Sequence, residues 1–330
     1  MKHLSIIIPE GTLILDTIVG TLNLFKMANS YSKRIGKNVE DFFEIDLVGL
    51  TKEPVSCHEY FQIKPTKTIQ EVQSTDLIII SSVTGNMEEA LIKNEPIINW
   101  IRSRRIKDDA EIASLCRSAF ILAETGLLNG KSCATHWAVH QQFENKYPKI
   151  NLLPDKIISE DNGIYSSGGA YSFLNMIVYL IEKYYGRETA IWCSKMAEID
   201  FDRINQNQFI IFKGQKEHSD DIIKEVQIYM EENFEEKLGV EDLAKKFALS
   251  SRTFIRRFKK ATLNTPLEYI QRVKVEVAKK SFESSTLNIN QVMYNVGYND
   301  QKSFRKTFKK YTGLSPLEYR TKYNREMALS

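Results

Sequence analysis

The sequence predicts an α/β sandwich followed by an all-α domain with two tandem helix-turn-helix units. Three observations support this prediction. In roughly the first 200 residues, short β-rich apolar runs alternate with helix-periodic stretches, which is typical of a parallel sheet covered by helices. Beyond a polar segment the chain has helical periodicity throughout, and one basic stretch occurs twice, fifty residues apart. At 330 residues, the chain has the length of about two domains.

The predicted strands of the N-terminal domain are short apolar segments rich in β-branched residues. Longer segments with apolar residues at helical spacing lie between them and predict the covering helices. The last helix ends at Gly186, a residue type that commonly terminates helices. The predicted strands are residues 6–9, 43–50, 76–82, 110–116 and 131–135, and the predicted helices are residues 22–31, 95–105, 119–128, 137–147 and 171–185.

Cys116 lies where a predicted strand runs directly into a predicted helix. The helix dipole and free amides at such a position favour a thiolate. His136 ends the next predicted strand and Asp16 belongs to the first loop, so the three are a candidate nucleophilic set. Free cysteines are, however, more often small buried apolar residues. His136 and His140 have a spacing seen in zinc sites, but a third ligand is not evident, so neither a metal nor a cofactor is predicted.

Residues 112–137 (IASLCRSAFILAETGLLNGKSCATHW) resemble the PfpI/ThiJ-type domains, relatives of the class I glutamine amidotransferases. The similarity extends to residues 166–186 (SSGGAYSFLNMIVYLIEKYYG) and so covers roughly the first 200 residues. It implies a flavodoxin-like sandwich. It also implies that Cys116 occupies a strand-to-helix elbow, with His136 beside it and Asp16 as the acidic neighbour.

The segment departs from that family where a nucleophile would need space. Such an elbow usually has small glycines around the nucleophile because the turn is strained. Here Ser114 precedes Cys116, and Arg117 and Ser118 follow it. A Gly-Gly segment expected after the strand at 76–82 is also absent from the sequence, which has Gly85 alone at residues 82–86. We therefore expect a non-catalytic domain in which Cys116, His136 and Asp16 mark a ligand pocket or a vestigial site.

Polar residues and a glycine between positions 201 and 218 predict a linker. This places a sensing or dimerisation domain at residues 1–200 and a helical domain at residues 219–330.

The repeated stretch has the form of a basic helix followed by a capped helix. Residues 252–269 read RTFIRRFKKATLNTPLEY, and residues 302–319 read KSFRKTFKKYTGLSPLEY. In the first copy, Phe254 and Phe258 are predicted to point inward, and Ser250 or Ser251 to cap the helix. Thr265 and Glu268 form the capping-box pattern around a proline.

A long helix follows the first capping box and is predicted to bury Leu267, Ile270, Val273 and Val277 on one side, ending near residues 281–285. A second short helix, a turn at Gly297 and a second basic helix at 301–311 then complete the pattern, with Asn299 or Asp300 as its cap. A short helix, a tight turn and a second helix with a basic outer face is the helix-turn-helix arrangement.

The charge distribution also sets the two parts of the chain apart. Between positions 245 and 325 there are nineteen Lys and Arg residues against five Asp and Glu, a balance of +14. The net charge of the chain is +3, so the remainder carries −11. A basic module of this kind favours a polyanionic partner. A helical bundle that binds a protein is the alternative, but two basic copies in register favour DNA.

Residues 240–260 (VEDLAKKFALSSRTFIRRFKK) and 296–320 (VGYNDQKSFRKTFKKYTGLSPLEYR) resemble the AraC family DNA-binding domain, over roughly the last 110 residues. One departure is Leu263-Asn264 where the second copy has Gly313-Leu314, and Asn264 is expected to supply the left-handed cap. The resemblance implies base contacts from Arg252, Ile255 and Arg256 in the first basic helix, and from Gln301, Lys302, Ser303, Arg305 and Lys306 in the second.

The combination of the two resemblances is typical of bacterial transcription regulators. It implies a sequence-specific regulator that binds double-stranded promoter DNA through its second domain and an unidentified small-molecule effector through its first. A homodimer through the N-terminal domain is expected, and RNA polymerase is a candidate further partner. The alternatives are a cysteine-dependent amidase or hydrolase fused to a DNA-binding module, and a first domain that serves only for dimerisation.

The expected compartment is the cytoplasm. Four cysteines without a framework spacing fit free thiols in a reducing environment. An uninterrupted apolar run of 18 or more residues does not occur in the sequence, so a transmembrane helix is not expected. The four cysteines are Cys57, Cys116, Cys133 and Cys193.

Overall fold

The computed structural model describes residues 1–57, 60–201 and 203–324. The chain divides into two compact units, Met1–Gln206 and Asn207–Ser330. The division falls inside the segment 201–218 for which the sequence predicts a linker. The domain limits at residues 200 and 219 stay a prediction.

Strands and helices alternate along the first unit. Its strands are β1 (Lys2–Ile7), β2 (Thr12–Leu13), β3 (Phe43–Gly49), β4 (Val55–Cys57), β5 (Phe61–Ile63), β6 (Lys67–Thr68), β7 (Leu77–Ile80), β8 (Val83–Thr84), β9 (Glu111–Ser114), β10 (Ser132–Cys133), β11 (Asn151–Leu152), β12 (Ile158–Asp161) and β13 (Ile164–Ser167). Its helices are α1 (Leu15–Arg34), α2 (Met87–Lys93), α3 (Glu95–Asp108), α4 (Ala119–Glu124), α5 (His140–Lys146), α6 (Ser172–Tyr185) and α7 (Arg187–Met196).

A central sheet organises this unit. Among the described residues its strand order is β12-β13-β9-β7-β1-β3-β6, and each neighbouring pair is parallel except β12 with β13. Ile6 in β1 and Ile78 and Ile79 in β7 are fully buried, as expected for central strands covered on both faces. Helix α1 packs against α6 and α7, and α2 packs against α3 and α4. The predicted α/β sandwich is confirmed.

Several local predictions for the first unit are wrong. The segment at 131–135 does not join the central sheet; only Ser132–Cys133 is extended, and it pairs with β11. The sheet instead continues through the hairpin of β12 and β13, whose short polar strands gave no apolar run in the sequence. Helix α1 begins at Leu15, so Asp16 lies in the first turn of a helix and not in a loop.

The second unit is helical. It contains two hydrophobic cores, and the long helix α11 (Pro266–Ser284) contributes to both of them. Tyr269 and Val273 belong to the first core, and Val275 and Phe282 belong to the second. The long helix therefore joins the two helix-turn-helix units through packed side chains. The helices are α8 (Asp221–Glu232), α9 (Val240–Lys246), α10 (Ser251–Thr262), α11 (Pro266–Ser284), α12 (Ile289–Asn295), α13 (Gln301–Thr312) and α14 (Pro316–Tyr323).

The repeated capping device is present in both units. The Thr265 side chain accepts a hydrogen bond from the Glu268 amide, and the Glu268 carboxylate accepts one from the Thr265 amide. Ser315 and Glu318 form the same reciprocal pair before α14. The same capping box thus starts α11 and α14 at matching places in the repeat.

Two details of the repeat differ from prediction. The left-handed residue after α10 is Leu263, with φ 57°, and not Asn264. Asn264 is instead buried, and its side-chain amide donates to the Gln215 side chain and the Thr262 carbonyl. Leu267 is 59% exposed, so it does not belong to the buried side of α11.

Candidate nucleic-acid interface and ligand cavity

Helix α10 presents the first candidate DNA-reading face. Phe254 and Phe258 are fully buried and anchor the helix to the first core, as predicted. Arg252, Ile255 and Arg256 lie on the opposite, exposed side. The spacing of the two phenylalanines therefore fixes which basic side chains remain available to a partner.

Helix α13 repeats this arrangement in the second core, where Phe304 and Phe308 are buried. Gln301 is held by a hydrogen bond from its Nε2 to Asn290 Oδ1 at 2.9 Å, which links α13 to the preceding helix α12. The five residues of this helix for which the family resemblance implies base contacts are all exposed: Gln301, Lys302, Ser303, Arg305 and Lys306.

Helix caps hold the start of each basic helix. Ser250 accepts a hydrogen bond from the Thr253 amide, and Asp300 accepts one from the Ser303 amide.

One basic residue of α10 has a different role from its neighbours. The Arg257 guanidinium binds both carboxylate oxygens of Asp220, at 2.9 and 2.6 Å, and thereby ties α10 to the start of α8. Sequence reasoning did not single out this pair, because a run of basic residues does not reveal which member turns inward.

The first unit contains a cavity of about 510 Å³ at the carboxyl end of β9, the edge of an α/β sheet where ligands bind. It brings together Asp16, Cys116 and His136, which the sequence assigned to one site. The remaining lining residues are Ile14, Thr17, Thr84, Arg117, Ala138, Val139, Ala170, Tyr171 and Phe173.

Cys116 has the backbone of a strained elbow, with φ 58° at a non-glycine residue. Its side chain is only 2% exposed, and burial raises the pKa of the thiol above its usual value. The Cys116 amide donates to Ser167 Oγ at 3.0 Å, and the Arg117 amide donates to Ser82 Oγ at 3.3 Å. Both amides that could stabilise an oxyanion at this turn therefore already have acceptors.

His136 lies beside this elbow but is not arranged as its base. Its Nδ1 accepts a hydrogen bond from the Ala138 amide at 3.0 Å, so the lone pair of that nitrogen is occupied. Burial, together with the nearby positive charge of Arg117, lowers the pKa of His136. Within the described part of the chain, no hydrogen bond joins the side chains of Cys116 and His136.

Gly169 makes room for the His136 ring. A Cβ atom at this position would stand 2.3 Å from His136 Cδ2, far inside contact distance. Asp16 lies on α1, and its Oδ2 accepts a hydrogen bond from the Tyr171 hydroxyl at 3.2 Å. The three predicted site residues thus share a cavity without forming a hydrogen-bonded chain.

The cavity residues Thr84, Tyr171 and Phe173 were not predicted from the sequence, because they lie far along the chain from Cys116. Arg117 was noted in the sequence only as a departure from the glycine-rich elbow. In the structure this residue lines the cavity and donates from Nη1 to Thr84 Oγ1 at 2.7 Å. The sequence signal that could have identified Arg117 as a cavity residue is its position directly after Cys116.

The described residues contain no cluster of three or more His, Cys, Asp or Glu side chains suited to a metal ion. Among the same residues, no helix combines the length and the apolar composition of a membrane-spanning segment.

Comparison with known proteins matches each unit separately. Residues 34–183 match the DJ-1/PfpI family, and residues 243–322 match a helix-turn-helix domain of the AraC type. The chain joins a DJ-1/PfpI domain to an AraC-type helix-turn-helix domain. Together the two matches confirm both resemblances seen in the sequence.

The chain is similar over most of its length to the HTH-type transcriptional regulator GbdR of Pseudomonas aeruginosa. The two are 22% identical over 316 residues, which cover 94% of this chain and 83% of the relative. An isonitrile hydratase of Pseudomonas putida is 27% identical over 149 residues, covering 44% of this chain and 62% of the enzyme. In structure, Drosophila melanogaster DJ-1beta matches with a TM-score of 0.51 and 18% identity, over 60% of this chain and 98% of that one.

Proposed function

We propose that this DNA-binding transcriptional regulator responds to a small molecule bound in the cavity at Cys116, His136 and Asp16. The observation that carries the DNA-binding part is the pair of basic helices, α10 and α13, each with its phenylalanines buried and its candidate base-reading residues exposed. Two such helices joined by one helix can enter successive major grooves, about 34 Å apart. We also propose that the protein acts in the cytoplasm, where a bacterial regulator meets its promoter.

The cavity supports the sensing part of the proposal. Its volume falls within the range of about 300–1,000 Å³ that small-molecule sites usually have. Regulation requires that the ligand bind more tightly to one arrangement of the protein than to another, since only differential affinity shifts an equilibrium. We further propose that the N-terminal domain pairs two chains and that RNA polymerase is a partner at the promoter.

The test is ligand-dependent DNA binding by the full chain. A metabolite panel is screened for compounds that change the affinity of the wild-type protein for its genomic binding site. The variant Ile14→Trp fills the cavity, and Ile92→Trp adds the same side chain at a position that is 75% exposed. We expect the ligand effect to persist in Ile92→Trp and to be lost in Ile14→Trp. An effect that survives in both variants would place the sensor elsewhere.

We also propose that the cavity is not catalytic. A cysteine hydrolase needs a thiolate, a base that accepts the thiol proton and donors for the oxyanion. Here Cys116 is buried with a raised pKa, His136 Nδ1 is occupied, and the two amides at the turn have serine acceptors. The similarity to isonitrile hydratase keeps an enzyme as the second candidate.

Alkylation by iodoacetamide as a function of pH separates these two candidates. We expect Cys116 to react slowly at pH 7 and its rate to keep rising with pH without a plateau up to pH 9, because burial disfavours the thiolate. Cys116→Ser serves as the control that identifies the labelled site. A rate plateau reached below pH 7 would reveal an activated thiolate and favour the enzyme.

A further inference from the structure

Arg117 places a positive charge in the wall of the cavity, directly after the elbow cysteine. A guanidinium has five N–H donors and no acceptor. The one side-chain hydrogen bond made by Arg117 among the described residues is from Nη1 to Thr84 Oγ1. Its Nε is buried without any acceptor.

Arg117 also lacks a counter-charge. Among the described residues, no carboxylate lies within 4 Å of its guanidinium. A buried Nε without an acceptor also occurs at Arg104, but there the guanidinium pairs with Asp108 at 3.3 Å. A partly buried cation with neither a carboxylate nor a full set of acceptors is energetically unfavourable, so the site is suited to an anion that arrives from outside.

The other polar groups of the cavity do not neutralise Arg117. The one carboxylate in the lining is Asp16, which accepts the Tyr171 hydroxyl and is exposed. The lowered pKa of His136 keeps its imidazole uncharged near neutral pH, so among the lining residues the positive charge belongs to Arg117. The rest of the lining includes the apolar side chains of Val139 and Phe173, which can receive an uncharged ligand body.

We propose that the ligand of this cavity carries a carboxylate, which binds the guanidinium of Arg117 while the ligand body packs on the apolar wall. This inference rests on the proposed sensing role of the cavity. A planar carboxylate matches the fork of an arginine, because two parallel charge-assisted hydrogen bonds form together. It would supply the negative charge that the guanidinium lacks.

The test uses matched pairs of small probes that differ in charge. Acetate and propanoate are compared with acetamide and propanamide by ligand-observed NMR titration against the full-length protein. The variants are Arg117→Gln, Arg117→Lys and the control Arg187→Gln, which removes an exposed arginine that pairs with Glu182. Circular dichroism and thermal unfolding establish that each variant is folded.

We expect the wild-type protein and Arg187→Gln to bind the carboxylates at least tenfold more tightly than the amides. Arg117→Gln should raise the Kd of the carboxylates at least tenfold, and Arg117→Lys should give an intermediate value because lysine keeps the charge but not the fork. Equal affinity for acid and amide, an unchanged Kd in Arg117→Gln, or the absence of any carboxylate binding to the wild type would each overturn the proposal.

The outcome also separates this inference from the proposed function. If carboxylates bind through Arg117 but no ligand of the cavity alters DNA affinity, the carboxylate site stands and ligand control of DNA binding fails. If a neutral compound alters DNA affinity through the cavity and Arg117→Gln has no effect on it, ligand control stands and the carboxylate site fails.

Discussion

Arg257 and Asp220 form a two-point ion pair, with Nε 2.9 Å from Oδ2 and Nη2 2.6 Å from Oδ1. Asp220 also caps α8, because its Oδ1 accepts a hydrogen bond from the Ile223 amide. The same carboxylate therefore holds the first basic helix, α10, and caps the start of α8. Arg256, the residue directly before Arg257, is exposed and free to face DNA.

The neighbours Arg256 and Arg257 should respond to substitution in opposite ways. Arg257→Met should lower the thermal unfolding midpoint of the second unit, since it removes the partner of Asp220, while the folded protein keeps its base preference. Arg256→Ala should leave the midpoint unchanged but cost about 1–3 kcal/mol of specific binding and relax the preference at one base pair. Thermal unfolding and competition binding on both variants provide the comparison. The assignment of the two residues is wrong if their effects are exchanged.

Lys309 is exposed on α13, and we expect it to contact phosphate and not a base. Lys309→Ala should weaken binding to specific and random DNA alike, and reduce the slope of log Kd against log salt by about 1. The control is Lys224→Ala on α8, where the lysine pairs with Asp221. A selective loss of specific binding in Lys309→Ala would assign this lysine to base reading.

The left-handed residues Leu263 and Gly313 occupy matching positions after α10 and α13, with φ 57° and 75°. A leucine in this conformation is strained, whereas a glycine is not. Leu263→Gly should raise the free energy of unfolding by about 0.5–1 kcal/mol, and Gly313→Ala should lower it by about 1–2 kcal/mol. Denaturant titrations would measure both changes, and a loss of stability in Leu263→Gly would show that leucine packing outweighs backbone strain.

The pKa of His136 predicts a specific dependence of stability on pH. In the unfolded chain a histidine has a pKa of about 6.5, and in the folded protein burial and Arg117 lower it. As the pH falls below about 6.5, the unfolded state takes up a proton that the folded state resists, so stability decreases, and the loss levels off below the folded pKa. Urea unfolding of wild type and His136→Asn between pH 7.5 and 5 should show a smaller decrease in the variant, in which asparagine can still cap Ala138. Parallel curves would mean that His136 does not titrate differently on folding.

The sequence predicted the arrangement of the second unit well because its signals are local. Buried Phe254 and Phe258, the capping boxes at Thr265 and Ser315, and the turn at Gly297 each depend on residues a few positions apart. Because the stretch repeats after fifty residues, the helices and caps predicted for the first copy also predict those of the second copy. Two details were predicted wrongly. The left-handed residue is Leu263 and not Asn264, since tertiary contacts with Gln215 bury the asparagine, and Leu267 is exposed and not buried.

The cavity was less accessible to sequence reasoning. The sequence correctly groups Cys116, His136 and Asp16 at one site. It wrongly assigns Asp16 to a loop, because α1 begins at Leu15. The direction of the Arg117 side chain depends on Thr84, which lies 33 positions away in the chain. The direction of the Arg257 side chain depends on Asp220, which lies 37 positions away. Spacing alone carries no information on such contacts.

DNA footprinting of the full-length protein on its preferred genomic fragments, at physiological ionic strength, tests the central claim most directly. We expect two protected major-groove segments on one face of the duplex, about 34 Å apart. Substitution of Arg252 and Arg256 should remove one segment, and substitution of Arg305 and Lys306 the other. Binding without preference over shuffled DNA, or a single protected segment that is lost with either pair, would contradict the account.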